Sequence, residues 1–177
     1  TPAAAWFFSD GAFRTIDGTL EPSWFERLAE IPEPYVGQPI GELFDVNFVP
    51  TSSVIVRREV FEALGGFNEA MSHGEDLDLW IRLARRGPAV ATTRALVRYQ
   101  HLSSGLTRQV EARLGGDVDL FGRLSRDVTL DPALRRRARR RASLAAFKLA
   151  HAALRDGRTT EARHQLARAW MFPERVV

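Results

Sequence analysis

The first hundred residues alternate short apolar runs with polar breaks, a pattern that favours strands joined by short connections. Apolar runs at 3–8 and 12–16 predict the two strands of a small hairpin around Ser9-Asp10-Gly11. Asp17-Gly18 predicts a tight turn after the second strand. Residues 21–30 favour a helix.

The next stretch predicts a loop, a strand and a helix in turn. Three prolines make 31–39 a loop, because proline removes a backbone donor and fixes φ. The β-branched run 48–56 predicts a buried central strand, and 57–64 predicts one or two helical turns closed by Gly65-Gly66. With two further short strands predicted at 90–93 and 96–99, the order favours an α/β sheet.

The segment 71–87, MSHGEDLDLWIRLARRG, begins as a turn and continues with helical spacing, with arginines near its end. Glu75 and Asp76 lie where this helix should start. Ser72 and Glu75 have the S-x-x-E spacing of a capping box, so the two acids are explained as capping charges. The alternative is that one of them is a catalytic base, and this segment alone leaves both interpretations open.

The pattern becomes helical from about residue 131. Asp131-Pro132 predicts the start of a long helix, 156–158 interrupts it, and a second helix capped by Thr159 or Thr160 should end near Met171. The pair resembles a single tetratricopeptide hairpin. One such unit cannot bury its own apolar face, so we expect it to pack on the α/β part, on another copy or on a partner.

Composition and charge add limits on compartment and partners. The 177 residues are 45% hydrophobic and contain no cysteine, which excludes disulfides and thiolate chemistry. No apolar run approaches the roughly 20 residues that cross a bilayer, so we expect a cytoplasmic protein or one peripheral at the inner face of the membrane. The net charge of +3 is uneven: residues 1–120 carry 11 basic and 17 acidic side chains, and 121–177 carry 14 and 5. We therefore predict a domain at 1–112 and a basic helical tail at 113–177.

Two arginine triplets, 135–137 and 139–141, lie in the predicted long helix. They lack interleaved aromatic residues and any known motif, so nucleic acid is not the expected partner. An anionic membrane surface, an acidic protein partner and a plain solvated helix stay open.

Several pieces between Thr51 and His101 point together to one family. They are TSS followed by VIVRR, GGFNE at 65–69, GEDLDLWIRL at 74–83, and RYQH at 98–101. Together they resemble the C-terminal half of family 2 glycosyltransferases, and WFFSDGAFRTIDGT at 6–19 looks like the strand and turn that follow the metal site there. The resemblance covers roughly residues 5–110 and implies a partial GT-A sheet layer, followed here by the α-helical hairpin.

The resemblance implies a nucleotide-sugar-dependent inverting glycosyltransferase that acts on a saccharide, a lipid-linked or a protein acceptor. Asp76 would remove the proton of the acceptor hydroxyl, and Glu75 would orient or bind the acceptor. Gly74 would let substrate approach the backbone, and Ser52 and His73 are the other expected substrate contacts. Asp78 is expected to be a surface or ion-paired acid. The alternative is a non-enzymatic helical interaction module attached to a degenerate α/β remnant.

In that family a divalent cation, Mg²⁺ or Mn²⁺, held by a D-x-D motif neutralises the donor diphosphate. The motif is not in the expected place here, and Asp117-Val118-Asp119 comes after the proposed base. We therefore expect the metal- and nucleotide-binding half upstream of Thr1, a fragment that is inactive alone, and self-association through the incomplete sheet. His101 is the candidate in this chain for contact with the metal or diphosphate. No Q-x-x-R-W motif follows it, which favours single-sugar transfer over polymer synthesis.

Overall fold

The structure, a computed structural model, describes residues 4–15, 17–28, 31–100 and 110–171. Its architecture is mixed α/β, and it divides into two compact units. The first contains the described residues of 4–68 and 75–100, and the second contains 69–74 and 110–171.

The first unit is built on one sheet of five strands. They are β1 (Trp6–Arg14), β2 (Leu20–Glu21), β3 (Tyr35–Gly37), β4 (Ile55–Val56) and β5 (Ala89–Gln100). The strand order is β2-β1-β5-β3, and β4 also pairs with β1. The two long strands, β1 and β5, are parallel and run in register from Trp6 opposite Ala89 to Arg14 opposite Gln100, with irregularities at Ser9-Asp10-Gly11. All the other pairings are antiparallel.

Seven helices complete the described chain. The first unit has α1 (Phe25–Leu28), α2 (Ile40–Asp45), α3 (Arg58–Ala63) and α4 (Glu75–Arg86); the second has α5 (Val110–Leu124), α6 (Pro132–Arg155) and α7 (Thr159–Trp170). The predicted helices at 57–64, 75–86 and 132–170 are therefore confirmed, with the break at Gly157. Of the helix predicted at 21–30, only α1 forms within the described residues, and 29–30 lie outside them.

Aromatic side chains form the core of the first unit. The rings of Trp6 and Trp80 are stacked with their centroids 5.8 Å apart, which joins β1 to α4. Phe8 meets both Phe25 and Phe48 edge to face, at 5.9 and 5.8 Å. Stacked and edge-to-face ring pairs stabilise the fold slightly beyond the effect of burying their apolar surface. The Trp6–Trp80 stack thus holds the middle of α4 against β1.

The predicted hairpin across 3–16 is wrong, because the region forms the single strand β1. The carboxylate of Asp10, 2% exposed, accepts hydrogen bonds from the backbone N–H groups of Gly11 (2.7 Å), Trp24 (2.8 Å) and Phe25 (3.0 Å), and from the hydroxyl of Ser23 (2.6 Å). A buried acid is tolerated in a strand when hydrogen bonds satisfy it, and this one ties the start of α1 to β1. The predicted turn at Asp17-Gly18 is confirmed, and it joins β1 to β2.

The predicted central strand at 48–56 is also wrong. Residues Thr51–Ser53 form a 3₁₀ turn, and only Ile55–Val56 pair with the sheet. The hydroxyl of Ser53 donates to the carbonyl of Pro50 at 2.8 Å and accepts from the N–H of Ser9 at 3.2 Å. Short polar side chains that bond nearby backbone compete with a strand ladder in this way. The central strands are β1 and β5, and the strands predicted at 90–93 and 96–99 are one continuous strand.

Residues 31–39 are not wholly loop, since Tyr35–Gly37 add the short edge strand β3 to β5. None of the three prolines lies inside these residues, so proline does not prevent the pairing.

The second unit contains a third helix that was not predicted. The guanidinium of Arg141 on α6 pairs with Asp117 on α5 at 3.2 Å and stacks on the ring of Phe121, 4.2 Å from its centroid. Arg158, before α7, pairs with Glu111 at the start of α5 at 2.6 Å. These contacts show that α5 runs antiparallel to α6. Helix α5 therefore buries part of the apolar face of the α6–α7 hairpin.

Candidate functional site

Helix α4 is fixed to the preceding turn by Arg82. Its guanidinium donates to the carbonyls of Leu64 and Gly66, both at 2.8 Å, and pairs with Asp78 at 2.8 Å. Gly65 and Gly66 close α3 with φ of 76° and 68°, a conformation that favours glycine. Asp78 is buried, at 8% exposure, so it is an ion-paired acid and not a surface acid. Arg82 therefore joins two motifs of the sequence: the glycine pair at 65–66 and the acidic start of α4 at 75–78.

The start of α4 differs from the capping-box geometry. The helix begins at Glu75, and the preceding Gly74 has φ of 79°. Ser72 therefore lies three positions before the first helical residue, where it cannot act as the N-cap of this helix. One carboxylate oxygen of Asp76, Oδ1, instead accepts from the N–H of Leu77 at 2.6 Å. This bond turns the acid back onto the first turn of its own helix.

The other oxygen of Asp76 joins three elements of the first unit. Oδ2 accepts from the hydroxyl of Thr51 at 2.9 Å and from the side-chain amide of Asn47 at 3.3 Å. Asn47 follows α2, Thr51 opens the 3₁₀ turn, and Asp76 lies in the first turn of α4. The carboxylate is half-buried and Thr51 is exposed, so the cluster reaches the surface of the unit. We call Asn47, Thr51 and Asp76 the acidic cluster.

The amide oxygen of Asn47 is an orphan acceptor beside this carboxylate. It is buried and has no hydrogen-bond partner among the described residues. Buried polar atoms are nearly always paired with protein or water, so we expect this acceptor to bind a water.

The remaining predicted site residues are distributed over both units. Glu75 is half-buried at the first position of α4, and Ser52 is exposed in the 3₁₀ turn. His73 and Gly74 belong to the second unit, whereas Asp76 belongs to the first. The Nδ1 atom of His73 lies 3.4 Å from the hydroxyl of Ser72. The last predicted residue, His101, lies outside the described residues.

The ligands of the expected divalent cation are predicted to lie mostly outside this chain. Within 4–15, 17–28, 31–100 and 110–171, no group of three or more His, Asp or Glu side chains is placed to hold a metal ion. Asp117 is paired with Arg141 and Asp119 with Arg168, which explains both acids of that D-x-D sequence as helix-to-helix ion pairs. Asp119 and Arg168 also line a cavity of about 320 Å³ in the second unit, together with Val118, Arg123, Arg126 and Met171.

Sequence reasoning missed two members of the acidic cluster. Thr51 carries a signal, because it belongs to the small-residue sequence Thr51-Ser52-Ser53, but the sequence does not distinguish it from Ser52. Asn47 carried none: it lies in an irregular segment after an unpredicted helix, 29 positions from Asp76. Its role depends on tertiary contacts.

Comparisons with known proteins identify no relative. No family model matches the chain, and no match is found among curated proteins or among solved structures. None of the helices in the described part of the chain is long and apolar enough to cross a membrane.

Proposed function

We propose that this chain is the acceptor-side part of an inverting, nucleotide-sugar-dependent glycosyltransferase of GT-A type, with Asp76 as its catalytic base. The observation that carries the proposal is the geometry of the acidic cluster. A carboxylate at the start of a rigid helix is held from two sides by Thr51 and Asn47 and still reaches solvent. Catalytic groups need this kind of fixed but accessible placement.

The hydrogen-bond capacity of Asp76 leaves room for a substrate. An ionised carboxylate accepts about four hydrogen bonds. Leu77, Thr51 and Asn47 supply three donors, so about one acceptor position stays open for a hydroxyl.

The proposed step is a general-base displacement. The acceptor hydroxyl gives its proton to the Asp76 carboxylate while its oxygen attacks the anomeric carbon of the donor sugar. The bond between that carbon and the nucleoside diphosphate breaks on the opposite face, so the configuration inverts. Thr51 and Asn47 are positioning residues that hold Asp76 through its Oδ2 atom. Glu75 is the proposed orienting neighbour.

A second candidate function rests on the same hydrogen bonds. The acidic cluster links α4 to the segment after α2, and hydrogen bonds of this kind can stabilise the fold without taking part in catalysis. The second unit would then be the functional part, as a helical interaction module. The two functions differ in what Asp76→Asn does, because asparagine keeps much of this hydrogen bonding and loses the base.

The experiment is a transfer assay on the gene product that contains this chain. A panel of uridine, guanosine and thymidine diphosphate sugars is supplied with saccharide and lipid-linked acceptors and with Mg²⁺ or Mn²⁺, and the product anomer is assigned by NMR. We expect transfer with inversion from one class of donor, strongly reduced in Asp76→Asn and less reduced in Glu75→Gln. A folded protein that transfers no sugar from any donor, or that retains configuration, contradicts the proposal.

A further inference from the structure

Helix α6 carries an exposed apolar stripe on the side opposite its buried alanines. Leu144, Phe147 and Leu154 are 51%, 57% and 53% exposed, and their spacing of three and seven residues places them on one face. The buried side of the helix consists of small residues and one leucine: Ala138, Ala142, Ala145, Ala146, Leu149, Ala150 and Ala153. Exposed large apolar side chains gathered in one place mark interaction surfaces.

The end of α7 adds one more exposed apolar residue to this region. The hydroxyl of Ser143 on α6 donates to the carbonyl of Ala169 at 3.4 Å, so Trp170, the next residue, lies close to the turn of α6 that carries Leu144. Trp170 is 83% exposed. We call Leu144, Phe147, Leu154 and Trp170 the apolar patch.

Cations surround the apolar patch. Arg136, Arg140, Lys148 and Arg155 are exposed on the same side of α6. The helix contains no Asp or Glu from Pro132 to Arg155, so no acid on α6 itself offsets their charge. A helix with aromatic and aliphatic side chains on a cationic face is typical of proteins that lie in the interface of a membrane.

We propose that the apolar patch docks on an anionic lipid bilayer with α6 parallel to the surface. The patch would enter the headgroup region, and the cations would contact lipid phosphates and anionic headgroups. Charge complementarity selects an anionic partner. The apolar and cationic side chains share one side of α6, as in helices that lie in a membrane interface, so an anionic bilayer is the occupant we propose. The inference does not depend on the proposed sugar transfer.

The test is flotation of the full 177-residue chain with two kinds of vesicle, phosphatidylcholine alone and phosphatidylcholine mixed with phosphatidylglycerol. We expect binding to the mixed vesicles, weaker binding at high salt, and little binding to the neutral ones. Arg140→Gln with Lys148→Gln should lower the affinity by roughly 25-fold, at about fivefold per cation. Leu144→Ser with Phe147→Ser should lower it at least about tenfold.

Two matched controls separate the patch from general loss of charge or apolar surface. Val128→Ser removes an 81% exposed apolar residue of the same unit outside the patch, and Arg113→Gln removes an exposed cation on α5. Both should bind vesicles as the native chain does, and circular dichroism should show all variants folded. Equal binding by native and patch variants, or equal binding to neutral and anionic vesicles, overturns the proposal. So does binding of an acidic amphipathic peptide to the patch without any binding to vesicles.

Discussion

Two neighbouring glycines on α5, Gly115 and Gly116, should respond in opposite directions to the same substitution. A Cβ added at Gly116 would lie 2.6 Å from the carbonyl oxygen of His73, and a Cβ added at Gly115 would meet no atom within 4 Å. The contact between Gly116 and His73 is internal to the second unit, which contains both residues 69–74 and the helix α5. Neither glycine has a positive φ, so alanine is compatible with the backbone at both positions.

The magnitudes follow from one gain and one cost. Replacing glycine by alanine within a helix stabilises it by about 1 kcal/mol, and this gain applies to both positions. At Gly116 the new methyl group meets backbone and not a flexible side chain, so the overpacking cost lies near the upper end of about 1–3 kcal/mol. We expect Gly115→Ala to stabilise the protein by about 1 kcal/mol and Gly116→Ala to destabilise it by about 2 kcal/mol.

The assay is thermal unfolding followed by helical circular dichroism, with urea unfolding as a second measurement. At about 4–8 °C per kcal/mol for a unit of this size, the two variants should melt more than about 10 °C apart. Because the gain in helix propensity is shared, their difference reports the contact with His73. Equal melting temperatures would show that α5 does not approach this segment closely.

Three further predictions concern the first unit. Arg82→Met removes the ion pair with Asp78 and two bonds to backbone carbonyls, so it should cost at least about 2 kcal/mol. Arg86→Met, at an exposed position of the same helix, should cost less than about 0.5 kcal/mol, and urea unfolding compares the two variants. Burial, with a smaller effect of Glu42, raises the pKa of Tyr35 from 10.0 to about 12. The folded state therefore binds the phenol proton of Tyr35 more tightly than the unfolded state does. The stability that this proton contributes is complete below pH 10.0 and is lost as the pH rises through about 12. Tyr35→Phe should remove that loss, which urea unfolding measured across this pH range would show. Finally, among the described residues β3 pairs with β5 only at 89–91, and the carboxylate of Glu33 accepts from the N–H of Thr93. The native chain should therefore self-associate through the edge of β5 beyond Thr93, and Leu96→Lys should shift sedimentation toward monomer. A monodisperse native monomer would contradict this.

Local signals predicted the helices well and the strands poorly. Asp131 accepts from the N–H of Ala133 at 2.6 Å as an N-cap, and Gly157, with φ of 74°, ends the long helix, so both ends were readable from residue type. Strands depend on partners far along the chain. Ser9-Asp10-Gly11 looks like a turn, yet the bonds that keep Asp10 in a strand come from Ser23, Trp24 and Phe25.

The same limit applies to the candidate site. The position of Asp76 at a helix start follows from the pattern of 71–87, and the structure confirms it. The partners of this carboxylate come from 25 and 29 positions away, through a turn that sequence analysis predicted as a strand. Helix α5 was missed because Gly115-Gly116 interrupts its pattern, and glycine lowers helix propensity. Tertiary contacts therefore decide which residues join the proposed base.

The most direct test of the central proposal is turnover per folded molecule of Asp76→Asn in the intact gene product, measured beside its melting temperature. Asparagine keeps the size of the side chain and an oxygen that Thr51 and Asn47 can reach, but it cannot accept the proton, and its amide nitrogen loses the bond from the N–H of Leu77. If Asp76 is the base, transfer per folded molecule should fall by roughly 10² to 10⁴ while donor binding stays nearly unchanged and stability falls by only about 1 kcal/mol. A folded Asp76→Asn protein with full transfer activity would show that the carboxylate is only a brace at the start of α4.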